Sequence, residues 1–200
     1  KIALYDPYQY KLTNEIKSPI RNLDIENIIP DTYGDIFYIT TTNGLLFETK
    51  VREKKMDLKQ IQLSSFVSKG IWNTNLNSLL LADDYNLFYL NPINREETEK
   101  VKMSTDITAL NVDSSAYNVY VGHSNGEVRI ISQDLKEEIK TLKVSNNSIS
   151  SISKDPLDHY LYVGDYSGNI FTVDLLKNKI IKSIKKHDGI VKLGDIQDFN

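Results

Sequence analysis

Tyr160-Leu161-Tyr162-Val163-Gly164-Asp165-Tyr166-Ser167-Gly168-Asn169-Ile170-Phe171-Thr172-Val173-Asp174 decides how the rest of the chain is read. Two runs rich in β-branched and aromatic residues flank a short polar turn containing glycine, which is the pattern of strand, tight turn and strand. The runs are too short and too punctuated for helices. The same text recurs as Asn118-Val119-Tyr120-Val121-Gly122-His123-Ser124-Asn125-Gly126-Glu127-Val128-Arg129-Ile130-Ile131-Ser132. A third copy runs from Phe37 through Asn43-Gly44 to Phe47, and a fourth, with a shortened turn at Asp83-Asp84-Tyr85, from Leu79 to Leu90. The apolar residue after each turn, Leu46, Leu87, Val128 and Ile170, recurs about every 41 residues.

That period is the length of a four-stranded propeller blade. Asn43-Gly44 and Asn125-Gly126 predict two-residue type I′ hairpins, and Ser167-Gly168 is a weaker form of the same signal. Before each hairpin lies a further short run, Ile107 to Val112 or Ser148 to Ile152, read as an inner strand a. After each comes a lysine-rich run, Glu138 to Val144 or Lys179 to Ile184, read as an outer strand d whose lysines blunt an exposed edge. The chain then starts on strand c of one repeat at Ile2 to Tyr5 and closes on a strand a around Ile190 to Leu193, which predicts nineteen strands in all. The repeats are placed at 1–19 (partial), 20–64, 65–104, 105–145, 146–186 and 187–200 (partial), within a single domain.

Composition fits an all-β globular chain: 40% hydrophobic, 26% charged, with five prolines and nine glycines. A net charge of -3, from 24 basic and 27 acidic residues without segregation, lacks the electrostatic footprint of a nucleic-acid binder. The absence of cysteine excludes a disulfide framework, a zinc-thiolate site and a cysteine nucleophile. No apolar run is long enough for a membrane-spanning helix, so no membrane insertion is expected, and an intracellular location, cytoplasmic or nuclear, is the working expectation. The text begins on Lys1 in an apolar alternation without methionine, as a fragment or processed product would.

Over nearly its whole length the chain resembles the WD-repeat β-propeller family. The hairpins Gly122-His123-Ser124-Asn125-Gly126 and Gly164-Asp165-Tyr166-Ser167-Gly168 keep both glycines of that family's Gly-Ser-x-Asp-Gly pattern and replace its aspartate. The pair closing strand c reads Tyr5-Asp6, Thr49-Lys50, Leu90-Asn91, Ile131-Ser132 and Val173-Asp174, with no Trp-Asp. Lys186-His187-Asp188-Gly189-Ile190-Val191 has the spacing of the family's histidine before strand a. The resemblance implies a degenerate propeller held mainly by apolar packing between blades. Four whole repeats fit part of a larger, about seven-bladed ring, a five-bladed ring closed by its first and last segments, or an open propeller completed by a partner.

The three histidines, His123, His159 and His187, are too scattered for a metal site. Asp83-Asp84 and Asp155 with Asp158 read as turn aspartates, because no Asp-x-Asp-x-Asp-Gly pattern accompanies them, and Arg52-Glu53-Lys54-Lys55 reads as a solvated loop. No nucleophile elbow or glycine-rich phosphate cradle is present, so no catalytic residue and no cofactor is expected. Phe37, Phe47, Phe88 and Phe171 belong to the core, and Trp72 on a strand a is expected to pack between blades. Tyr85 and Tyr166 fall in b–c turns, which in a propeller project from the top face, and such tyrosines on rigid loops suit binding hot spots. Asp83, Asp84, His123, Asn125 and Asp165 share those turns. The expected role is a non-catalytic interaction scaffold that presents these loops to another protein or peptide, within a multiprotein complex. A propeller hydrolase or lyase with a channel-mouth site, and a structural subunit of a coat or pore, are the alternatives.

Overall fold

The computed structural model describes residues 2–6, 9, 11–16, 24–51, 57–113, 117–155, 159–185 and 187–193. They form eighteen strands and, among the described residues, no helix. β1 (Ile2–Asp6) pairs with β2 (Lys11–Ile16). Four four-stranded antiparallel sheets follow. The first contains β3 (Ile25–Pro30), β4 (Ile36–Thr41), β5 (Leu46–Lys50) and β6 (Lys59–Ile61), and the second β7 (Lys69–Asn73), β8 (Ser78–Ala82), β9 (Asn86–Leu90) and β10 (Val101–Lys102). β11 (Ile107–Asp113), β12 (Asn118–His123), β13 (Glu127–Ser132) and β14 (Glu138–Lys143) make the third. The fourth is β15 (Ile149–Lys154), β16 (Tyr160–Asp165), β17 (Asn169–Asp174) and β18 (Lys179–Lys185). In every sheet spatial order equals chain order, a simple meander.

The chain divides into two compact units, Lys1–Asp83 with Leu90–Glu97, and Asp84–Tyr89 with Thr98–Asn200. In the first, Trp72 stacks on Tyr38 with centroids 5.6 Å apart and donates its indole N–H to Thr32, so it packs β7 against the first sheet as its place on a strand a predicted. Burial, and next the Glu48 charge, push the Tyr38 phenol up to about 12. Asn27 donates from its amide to the Gly70 carbonyl at 3.0 Å. The second unit repeats the device, with the Asn111 amide reaching the Ile152 carbonyl at 3.4 Å. It adds a buried ion pair at the ends of β11 and β15, where Lys154 Nζ lies 2.7 Å from Asp113 Oδ2 with side chains 9% and 2% exposed.

Exposure follows strand position. β8 is buried along its whole length, β11 alternates, and β14 and β18 are almost entirely exposed, so apolar content and edge lysines are distributed as burial demands. Phe47 and Phe88 are buried, and Phe171 is partly buried against the core of the second unit.

Three features differ from the sequence expectation or extend it. The glycine hairpins are not two-residue type I′ turns: Gly44, Gly126 and Gly168 have positive φ, whereas Asn43, Asn125 and Ser167 do not. Gly44 donates to the Thr41 carbonyl, and Thr41 donates to the Leu45 carbonyl, which defines a three-residue loop in which only the glycine is left-handed. Asn43 has another task, since its Oδ1 accepts a 2.6 Å hydrogen bond from the Thr41 hydroxyl. The nineteenth strand, around Ile190 to Leu193, is not formed, because no strand lies beside it for a ladder among the described residues. The segment is held by side chains instead: Ser150 and Ser151 donate their hydroxyls to the Val191 carbonyl, and Leu193 N–H donates to Ser151 Oγ. Val191 nests on Gly164 as Ile149 nests on Gly122, and a Cβ at either glycine would meet those side chains at 2.8 and 2.6 Å.

The third feature is a latch that the sequence did not announce. The carbonyls of Gly44, Tyr85, Gly126 and Gly168, one in each second-to-third-strand hairpin, accept the N–H groups of Val67, Met103, Val144 and His187, at 3.0, 2.7, 3.0 and 3.4 Å. Each donor lies in the connector leaving that sheet. From the other side, Thr42, Ser124 and Tyr166 donate to the carbonyls of Asp24, Asp106 and Ser148 in the connector entering it. Each glycine hairpin is thereby clamped between two connectors. Close approach and left-handed φ both fix glycine at 126, where a Cβ would strike the Ser145 carbonyl, whereas at Gly34 φ is positive with nothing within 4 Å. Gly34→Ala is therefore expected to cost about 1–2 kcal/mol from backbone conformation alone, and Gly126→Ala about 3 kcal/mol or more once the collision is added. Urea denaturation of both variants checks this, and equal costs would refute the latch.

Candidate functional site

The hairpin loops gather the residues that the sequence singled out, but not all on the surface. Tyr85 and Tyr166 are each 45% exposed, Asp84 is exposed, and Asp83 and Asn125 are partly so. Asp83 belongs to the first unit and the others to the second. His123 and Asp165 are 0% exposed, which corrects their placement as partner contacts. Both are the last residue of a second strand, and both side chains turn inward to the connector entering their own sheet.

His123 Nδ1 lies 3.2 Å from the Thr105 carbonyl and 3.3 Å from that of Asp106. Two acceptors at one nitrogen place the proton there, leaving Nε2 as a buried acceptor without a partner. Burial, and next the Arg129 charge, hold the imidazole below its usual pKa, so the neutral ring is the native form.

Asp165 is the most densely bonded side chain of the region. Its Oδ1 accepts the N–H groups of Ser167 and Asn169, both at 2.9 Å. Its Oδ2 accepts the Ser145 hydroxyl at 2.8 Å, the Asn169 amide at 2.8 Å and the Asn147 amide at 3.4 Å. Burial alone would raise its pKa, but the hydrogen bonds from Asn169, Ser145 and Ser167 together outweigh it and hold the carboxyl below its ordinary range. The aspartate thus ties its own hairpin to the connector at 145–147.

The two exposed tyrosines stand at the ends of one bonded line. The Tyr85 hydroxyl hydrogen-bonds the Asp106 side chain, and this bond, followed by the Asp106 charge, raises the phenol pKa. The Asp106 carbonyl meets Ser124 N–H and His123, Gly126 accepts from Ser145, and Ser145 donates to Asp165 beneath Tyr166. Asn125 is committed locally, its Oδ1 accepting Glu127 N–H at 3.1 Å and its carbonyl accepting Lys143 Nζ. Asp106, Ser145 and Asn147 were missed in the sequence. Their only signal there is the polar text of the connectors, Ser104-Thr105-Asp106 and Ser145-Asn146-Asn147-Ser148.

Among the described residues no three His, Asp or Glu side chains gather to hold a metal ion, and no helix is long and apolar enough to cross a membrane. His159 and His187 are exposed. Asp158 and the run Arg52 to Lys55 lie outside the described residues.

No protein-family model and no curated protein matches the chain, so its role is argued from geometry. That geometry makes Asp165 the acid-sensitive point of the hairpin end. A carboxylate whose native pKa is depressed contributes stability that is complete above the unfolded value of about 4 and is lost as pH falls through the native one. Asp165→Asn is expected to destabilise by about 2 kcal/mol at neutral pH. The gap from the parent chain should narrow as the medium is acidified below pH ~4. Denaturation at a series of pH values measures it, and a gap independent of pH would show that the charge is immaterial.

Proposed function

We propose that this chain is part of a degenerate WD-repeat-type β-propeller that acts as a non-catalytic scaffold, presenting the hairpin loops carrying Tyr85 and Tyr166 to a partner protein. The observation that carries this reading is the contrast within those loops. The backbone of the Tyr166 loop is clamped on both sides and that of the Tyr85 loop is held by Met103 in the connector leaving its sheet and by Ile107 at the start of β11, yet each presents a large, half-exposed aromatic ring. A tyrosine held on a rigid support loses little conformational entropy on binding, which is the property that makes such residues interface anchors. The four meander sheets and the 41-residue recurrence support the propeller itself. Fold alone does not dictate a role. The polar and acidic surroundings, Asp83, Asp84 and Asn125, suit a basic or polar peptide segment.

The test places a photo-crosslinking amino acid at Tyr85, at Tyr166 and, for comparison, at the exposed Ile181 of the outer strand. A partner trapped from the two tyrosine positions is then titrated against Tyr85→Ala and Tyr166→Ala. Each substitution is expected to weaken binding by about 1–2 kcal/mol while the melting temperature moves little. Crosslinks only from Ile181, or unchanged affinity in both variants, would move the interface to the sheet edges and overturn this reading.

A further inference from the structure

His123 is buried while His159 and His187 are exposed, and what it grips is the support of Tyr85. The connector between β10 and β11 leaves the second sheet and enters the third, and with the first residue of β11 it meets the Tyr85 hairpin three times. Met103 N–H donates to the Tyr85 carbonyl and Ile107 N–H to the Asp84 carbonyl, both at 2.7 Å, and the Asp106 carboxylate accepts the Tyr85 hydroxyl. Two side chains of the third sheet pin the same connector from the other side. Arg129 donates to Ser104 Oγ at 2.7 Å, and His123 Nδ1 faces the carbonyls of Thr105 and Asp106.

A second proton on the ring would sit on Nε2, which is buried without an acceptor. It would also turn the ring into a buried cation. β13 brings two charges to bear there: Arg129, which repels a cation, and Glu127, whose smaller attraction is shared with Arg129 at 3.6 Å. The connector brings Asp106, whose carboxylate is engaged with Tyr85, and the adjoining ends of β11 and β15 bring Ile107 and Ile149, which carry no charge. Burial, and next the Arg129 charge, therefore keep the closed ring neutral. With the connector swung away, the ring meets water and takes up a proton at its ordinary value of about 6.5. The stability of the closed arrangement is thus complete above that value and is lost as pH falls through the lower value of the closed state.

We propose that His123 is a proton-operated catch on the Tyr85 loop: protonation of Nε2 releases the connector at 104–106, and Tyr85 loses its support while Tyr166 keeps its own. The Asp165 shell beneath Tyr166 gives up its charge only in more acidic medium, so the two tyrosines respond to acid at different pH. The consequence for binding rests on the scaffold reading, in which Tyr85 is a contact. The catch itself does not.

The test is amide hydrogen exchange by NMR on the full chain at about pH 7 and about pH 5, with each rate divided by that of an unstructured peptide at the same pH. The amides of Met103, Ile107 and Ser124, whose bonds close the connector, are expected to open several-fold more often at the lower pH, and that of Tyr166 equally often at both. His123→Asn keeps an N–H donor near the place of Nδ1 and cannot titrate, so its opening should be rare at both pH values. His123→Ala places at this position the residue that ends the second strand of the second sheet, Ala82, and should open more often at both. Opening of the parent chain that is independent of pH would overturn the proposal, as would a pH response that persists in either variant. The ring itself supplies a measurement that needs no variant: the His123 Cε1–H resonance should titrate below those of the exposed His159 and His187, and titration at or above them would overturn the proposal too. Neither readout needs a partner, so the catch can fail while the scaffold reading stands, and the reverse.

Discussion

A single backbone hydrogen bond, from the connector leaving a sheet to the carbonyl at the tip of that sheet's second hairpin, is the constraint around which the rest is arranged. It recurs four times, at Gly44, Tyr85, Gly126 and Gly168. Because the bond is made by main-chain atoms, the tip must come close to the connector, and closeness explains glycine at three of the four positions. Left-handed φ alone would admit asparagine, as it does at Asn77 and Asn178. At Gly126 and Gly168 the connector carbonyls of Ser145 and His187 fill the volume of a Cβ, and asparagine would not fit there. The sheet lacking a hairpin glycine also has the shorter turn, and its tip carbonyl comes from Tyr85.

The entering connector is secured differently in each repeat, and one position carries the differences. Thr41, Ala82, His123 and Asp165 each end the second strand of their sheet. Thr41 braces only its own loop, with its hydroxyl against Asn43 and Leu45 N–H. Ala82 has no polar side chain and meets the connector only through its carbonyl, which accepts the Ser68 N–H. His123 uses one ring nitrogen on the connector carbonyls, and Asp165 gathers five donors from hairpin and connector together. The cost of burying a polar group is met in proportion: a carboxylate requires a full shell, an imidazole tolerates one silent nitrogen, and a methyl requires nothing.

Periodicity was the part of this architecture most openly written in the sequence. β-branched runs separated by glycine turns at a fixed spacing can be satisfied by few arrangements other than repeated meanders, and the eighteen strands fall where those runs are. Trp72 was legible for the same reason, since a large ring on an inner strand has only the neighbouring sheet to meet. Hairpin geometry was not. Asn-Gly is compatible with two-residue and three-residue loops, and the choice depends on the Thr41 hydroxyl and its counterparts, which no dipeptide rule contains. The burial of His123 and Asp165 was hidden because their partners are carbonyls, serines and asparagines of a connector twenty residues away, and such residues look alike whether they face solvent or a carboxylate. Tyr85 and Tyr166 were legible only as tyrosines in turns. Their bonded support through Asp106 and Asp165 required the fold.

Securing loops through main-chain atoms has a consequence for what their side chains can become. The clamp takes the N–H of residues 42, 124 and 166 and the carbonyl of the glycine two positions later, and places no demand on the side chains at those first positions. Threonine, serine and tyrosine occupy them in turn, at no visible cost to the clamp. A scaffold built this way can change the chemistry of its loop tips by single substitutions while the strands beneath keep their packing, because the term being changed and the term holding the fold belong to different atoms. Rigidity and variability, which compete where loops are anchored by their side chains, are here separated along the same three residues.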